Sequence, residues 1–210
     1  MKINDLVIID EFLSEQDYRE LSKLKVDCSK GLRVYHNRIN RDNVVEINCF
    51  DRKLIERLHK NYHEKTIKIL KKLCPEKLDL YDYSDFSIIV TPKNYIYPFH
   101  DDTPNKLLSG VIYLRPEKNS GTIFREDKKK YEKNYTVEWK KNRAVFFSRK
   151  EKETWHTYKG NGISDRIVLV YNLNTNRIKD VYKIERKNYI LGSLRYKINP
   201  YLFRYFKFFI

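Results

Sequence analysis

Beyond Pro75 the chain carries eight short runs rich in β-branched and aromatic residues, at 85–91, 95–100, 108–115, 120–125, 134–139, 143–148, 154–158 and 165–173, each bounded by turn residues. No helical period separates them. Parallel strands need a crossover between them, usually a helix, so a doubly wound α/β sheet is disfavoured. Eight short strands without that rhythm fit a double-sheet jelly roll, with helices packed outside. The expected fold is mainly β with flanking helices, an α+β arrangement around a double-stranded β-helix.

The helices fall ahead of the strands. Ser14-Glu15-Gln16-Asp17 sets a hydroxyl three residues before a carboxylate, and Tyr18, Leu21 and Leu24 follow at helical spacing. From Asp51 to Cys74, Leu54, Ile55, Leu58, Tyr62, Ile69, Leu70 and Leu73 draw one apolar stripe through Lys, Arg and Glu, and Pro75 marks the stop. The charged segments 126–133 and 140–152 read as solvated connections. The expected organisation is a helical support over 1–80, a jelly-roll core over 81–176, and a basic, aromatic extension over 177–210.

That extension differs in composition. It holds nine Lys/Arg and two Asp/Glu, seven of the fifteen net positive charges, and closes on the aromatic run 201–210. The run is too short to span a bilayer, which leaves a docked core element or an interfacial, partner-binding amphipath. The whole chain has 43 Lys+Arg against 28 Asp+Glu, which favours an anionic partner such as nucleic acid, anionic lipid or acidic protein. Its 17 Tyr and 11 Phe exclude a solvated, disordered polyelectrolyte. No apolar stretch approaches the ~20 residues of a membrane span and the first residues lack a signal-peptide build, so a cytoplasmic location is the default expectation. Cys28, Cys49 and Cys74 form no C-x-x-C pair and read as reduced and structural.

Chemistry concentrates at His100, Asp102 and His156. Positions i and i+2 of an extended chain face the same way, so His100 and Asp102 project into a common space while Asp101 points elsewhere. His156 sits on a later strand that a jelly roll can bring to the first. Two histidines and a carboxylate on one face of a six-coordinate ion form the facial triad of non-haem Fe(II) oxygenases, leaving three positions open. Arg166 follows ten residues later and shares a face with Val168 and Val170 by period two. If that face lines the barrel, the guanidinium is buried and needs an anion, and its planar fork suits a carboxylate. A dicarboxylate held at the metal by its other end, 2-oxoglutarate, would supply one. Each piece alone has a plainer reading: a polar turn, a packed histidine, a solvated arginine. Their conjunction in order and spacing carries the inference.

The same stretch resembles the Fe(II)/2-oxoglutarate-dependent oxygenase superfamily, and within it the prolyl-4-hydroxylase-like branch. Tyr97-Pro98-Phe99-His100-Asp101-Asp102 is similar to that branch's Tyr-x-x-His-x-Asp opening. Ser109-Gly110-Val111-Ile112-Tyr113-Leu114 resembles its next strand, and Ser120-Gly121-Thr122-Ile123-Phe124 its Gly-Gly-x-Thr-x-Phe segment. Arg143 to Ser148, then His156, then Arg166 follow the order of its closing half, and the likeness covers about residues 83–174. The resemblance implies His100, Asp102 and His156 as iron ligands and Arg166 as anchor of the distal 2-oxoglutarate carboxylate, with Tyr113 and Tyr97 as further cosubstrate contacts. It implies Fe(II), 2-oxoglutarate and O2 as reactants, ascorbate as a possible reductant, and succinate and CO2 released as a C–H bond of a protein side chain or small molecule is hydroxylated.

The departures are specific. Collagen-type prolyl hydroxylases often have Lys where Arg166 stands, and Arg-x-Ser members have a hydroxyl where this chain has Val168. AlkB-type nucleic-acid demethylases end in an Arg matched here by Asn172, which disfavours demethylation. The alternatives are a cupin-like jelly roll that binds without turnover, and a basic nucleic-acid or membrane-surface binding protein. Segments 28–48 and 125–135 are the candidate loops covering the barrel mouth. His59 and His63, at i and i+4 without H-E-x-x-H, read as a solvated helix face, and His36 carries no functional signal.

Overall fold

The computed structural model describes residues 5–29, 31–125 and 134–210. Ser14 caps the first helix as expected: its Oγ accepts from the Asp17 amide at 3.1 Å, and α1 spans Glu15–Lys23. Asp51 caps α2, Arg52–Leu73, through an Oδ1 that accepts from the Lys53 amide at 2.7 Å. Pro75 ends this helix and opens a short 3-10 turn, Pro75–Leu80.

The strands are β1 (Leu6–Ile9), β2 (Arg33–Asn40), β3 (Val45–Ile47), β4 (Tyr83–Thr91), β5 (Ile96–His100), β6 (Lys106–Arg115), β7 (Thr122–Arg125), β8 (Asn134–Val137), β9 (Ala144–Phe147), β10 (Trp155–Lys159) and β11 (Arg166–Asn174). They form a seven-stranded sheet, β1-β9-β6-β11-β4-β2-β3, and a four-stranded sheet, β5-β10-β7-β8. The strand pairs are antiparallel. This is a jelly roll with helices outside, and each of the eight expected runs contains a strand.

Period two on β11 divides the interior. Ile167, Leu169, Tyr171 and Leu173 join Leu54, Ile55, Leu58 and Leu70 of α2 in the main core. Arg166, Val168, Val170 and Asn172 face the other way, into a cavity of the roll. On β6, Gly110 leaves room for the Phe146 ring, which a Cβ there would strike. A smaller apolar cluster, with Tyr113, Phe124, Val145, Phe147 and Val168, fills the roll itself.

The expectation of a covering loop over 28–48 is corrected in part. Arg33 to Asn40 pairs with β4 along eight positions and extends the large sheet. The polar side chains of β2 hid it in the sequence, and the buried Asn37 is satisfied in place. The Asn37 amide donates to the Phe86 carbonyl at 2.9 Å while its Oδ1 accepts from the amides of Cys49 and Phe50. Residues 126–133, most of the second expected covering loop, lie outside the described residues. The solvated reading of His59 is also corrected: His59 is buried, and His63 is half-buried beside it. All three cysteines are unpaired, but Cys28 and Cys49 are exposed, so a packing role fits Cys74 alone.

The extension folds as two helices, α3 (Ile178–Ile184) and α4 (Tyr189–Phe206). Gly192 lets α4 approach the Tyr182 ring more closely than any side chain would permit. Below α3, buried Glu185 pairs with Lys77 at 2.7 Å and Arg149 at 2.5 Å.

Candidate metal centre

His100 ends β5, and the antiparallel register sets His156 of β10 directly opposite it. Their ring centroids are 4.1 Å apart. Asp102 follows two residues after His100, and ligand atoms of the three side chains all lie within 4.8 Å of one another. Asp101 points away, as alternation requires, and forms an ion pair with Arg195 at 2.5 Å.

Hydrogen bonds orient each member. His100 Nδ1 lies 3.1 Å from the Pro98 carbonyl and His156 Nδ1 3.1 Å from the Thr154 carbonyl. A carbonyl can only accept, so each Nδ1 carries the proton and each Nε2 keeps its lone pair for an ion. Lys106 Nζ donates to Asp102 Oδ1 at 2.6 Å, and Ser109 Oγ donates to Oδ2. Arg149 Nε, itself buried, donates to the Asp102 carbonyl at 3.1 Å and fixes the backbone beneath the carboxylate.

The charge states suit a cation. Burial pushes the His100 pKa down to about 3, with His156 adding to the effect, and burial also lowers His156. Burial alone would raise Asp102, but Lys106, His156 and His100 outweigh it and hold the carboxyl well below its ordinary range. Two neutral imidazoles and a carboxylate therefore converge, a donor set that suits a divalent transition ion.

The same cavity is lined by Arg166, which is buried. Its guanidinium donates to Thr122 Oγ1 at 3.1 Å and lies 4.2 Å from the centre of the Tyr158 ring. Its Nε has no hydrogen-bond partner, and no carboxylate among the described residues pairs with it. Burial lowers its pKa without a compensating anion. Tyr113 sits beside it, 5.5 Å from ring centre to guanidinium, and donates to Thr122 Oγ1 at 3.0 Å. Tyr97 lies at the other end, 4.5 Å from the His100 ring. Five of the six site residues singled out in the sequence, Tyr97, His100, Asp102, His156 and Arg166, border one cavity, and Tyr113 is buried behind its wall, against Thr122.

Sequence reasoning missed Lys106, Ser109 and Arg149, which hold Asp102, and the aromatic contacts from the extension. Phe203 and Phe209 stack 4.9 Å apart, Phe209 lies 5.6 Å from His100, and Phe203 5.7 Å from Tyr97. Ser109 was accessible in principle as a hydroxyl on the strand after H-x-D. The pairing of the tail with the mouth had no local signal.

The jelly-roll frame is shared with solved structures. A prolyl-4-hydroxylase from Pseudomonas putida matches with TM-score 0.57 and 14% identity, over 83% of this chain and 94% of that one. An oxidoreductase of the 2OG-Fe(II) oxygenase family from Burkholderia pseudomallei matches with TM-score 0.58 and 14% identity, over 82% and 87%. A Trichoplax adhaerens prolyl hydroxylase, in complex with a hypoxia inducible factor oxygen degradation domain peptide fragment, matches with TM-score 0.55 and 13% identity, over 85% and 87%. No family model and no curated protein matches the chain by sequence.

Proposed function

We propose that this protein is an Fe(II)- and 2-oxoglutarate-dependent dioxygenase that hydroxylates a C–H bond, in a protein side chain of prolyl type or in a small molecule. One observation carries the reading: the His100, Asp102, His156 cluster shares its cavity with a buried Arg166 that lacks an anion. The three side chains would hold Fe(II), and Arg166, with Tyr113 beside it, would hold the far carboxylate of 2-oxoglutarate. When bound, iron and cosubstrate supply the oxidising power, with O2 as oxidant and succinate and CO2 as products.

The chain's own residues bind and orient. His100 and His156 present Nε2 because their protons are committed to backbone carbonyls. Lys106 and Ser109 fix the rotation of the Asp102 carboxylate. Arg166 and Thr122 would hold the far end of the diacid, and Val168, Val170 and Phe147, which line the same cavity, would shield the reacting end from water. None of these groups needs to move a proton. The peptide-bound prolyl hydroxylase among the fold's neighbours supports a protein substrate as one of the two classes.

The test is an anaerobic titration of the protein with Fe(II) and then 2-oxoglutarate, read by the visible metal-to-ligand absorption band, followed by a substrate screen scored by succinate release. The band should appear only with both components. Its absence at saturating concentrations would overturn the reading.

A further inference from the structure

Helix α4 is amphipathic in the reverse sense. Its polar Arg195 faces inward, to Asp101 and Glu151 at 2.5 and 3.2 Å, and half-buried Asn199 accepts from the Ile210 amide. Phe203 also packs inward, beside Tyr97, but six other aliphatic and aromatic residues face out. Ile190, Leu191, Leu194, Ile198, Tyr201 and Tyr205 are exposed by 74, 67, 54, 36, 66 and 67%. At 3.6 residues per turn these six fall within an arc of about 100°, so they form one continuous stripe along the outer side of the helix. Lys197 and Arg204 project along one border of that arc.

The charge around the stripe selects its occupant. Residues 186–210 contain six Lys/Arg and no Asp/Glu. Arg195 and Lys187 are paired with carboxylates, whereas Arg186, Lys197, Arg204 and Lys207 have none among the described residues. A second copy would set one cationic stripe against another. A nucleic acid would match the charge but offer nothing to the four aliphatic side chains. A bilayer with anionic headgroups satisfies both: aliphatic residues enter the acyl boundary, tyrosines sit at headgroup level, and Lys and Arg reach the phosphates. No helix of the described residues is long and apolar enough to cross a membrane, so the helix would lie on the surface.

We infer that α4 docks this protein onto an anionic membrane surface through the Ile190–Tyr205 stripe and its bordering cations. The test is co-sedimentation of the full chain with vesicles of phosphatidylcholine alone and of phosphatidylcholine mixed with phosphatidylserine. Binding should favour the anionic vesicles, weaken in ~1 M salt, where screening acts within about 3 Å, and fall about tenfold or more in Leu194→Glu/Tyr201→Glu. Thermal melts of that variant should match the parent, since both positions are exposed. If its melt drops, Lys197→Glu/Arg204→Glu carries the same test and should lose the anionic preference. Failure to bind anionic vesicles, or binding that both variants leave unchanged, would overturn the inference. So would a dimer dissolved by Leu194→Glu/Tyr201→Glu, or a preference for an oligonucleotide over the vesicles.

Discussion

Two pairs of neighbouring histidines lie in this molecule, and they differ in what surrounds them. His59 and His63 on α2 stack with centroids 4.3 Å apart, nearly the separation of His100 and His156. Both pairs are depressed in pKa by burial. On α2, however, both Nδ1 atoms are buried without a hydrogen-bond partner, and the neighbours are the rings of Phe86 and Tyr81. At the barrel mouth each Nδ1 is bound to a carbonyl and Asp102 stands within reach. Proximity of imidazoles is therefore not what defines a metal centre. A carboxylate and a fixed tautomer do.

The largest effect should come from breaking the pair that has the carboxylate. Asp102→Ala should lower Fe(II) or Mn(II) affinity by about 100-fold or more, read by calorimetric titration, while His59→Phe leaves it unchanged. Equal losses in the two variants would erase the distinction. Next, Arg166→Met should weaken 2-oxoglutarate by about 2–3 kcal/mol in the metal-loaded protein, with metal affinity retained, because it removes one charge-assisted pair.

The helical pair should instead reveal itself in stability. The His59 pKa falls from 6.5 unfolded to about 4 folded. The unfolded chain then binds the extra proton between those values, so stability is complete above about pH 6.5 and drains as pH falls towards 4. Between about pH 6.5 and 5 the loss from this group is at most about 2 kcal/mol, and urea midpoints of His59→Phe should show a flatter profile over that window. The smallest effect should be Ser109→Ala, about tenfold in metal affinity, because the hydroxyl only orients Asp102. A larger loss than in Asp102→Ala would mean that Ser109 holds more than the carboxylate.

Much of this was legible in the chain because period-two alternation is local. Arg166, Val168 and Val170 could be placed on one face from sequence, and so could His100 with Asp102. The cross-strand meeting of His100 with His156 followed once a jelly roll was assumed. β2 was not legible, since His36, Asn37 and Arg38 carry polar groups whose partners lie on β4. His59 was misread because its spacing among lysines looks solvated, and only the sheet packed over α2 shows otherwise. The hold of Lys106, Ser109 and Arg149 on Asp102 depends on which strands meet, and the extension's Arg195 contact with Asp101 spans 94 positions.

β5 borders the small sheet and has one neighbour, β10, along the ladder that sets His100 opposite His156. An ion gripping both imidazoles would rivet this otherwise singly laced margin to the body of the sheet. Occupancy would then be felt as mechanical tightening of the barrel's lip, and stripping the ion with a chelator would loosen Ile96–His100 before any other part of the roll.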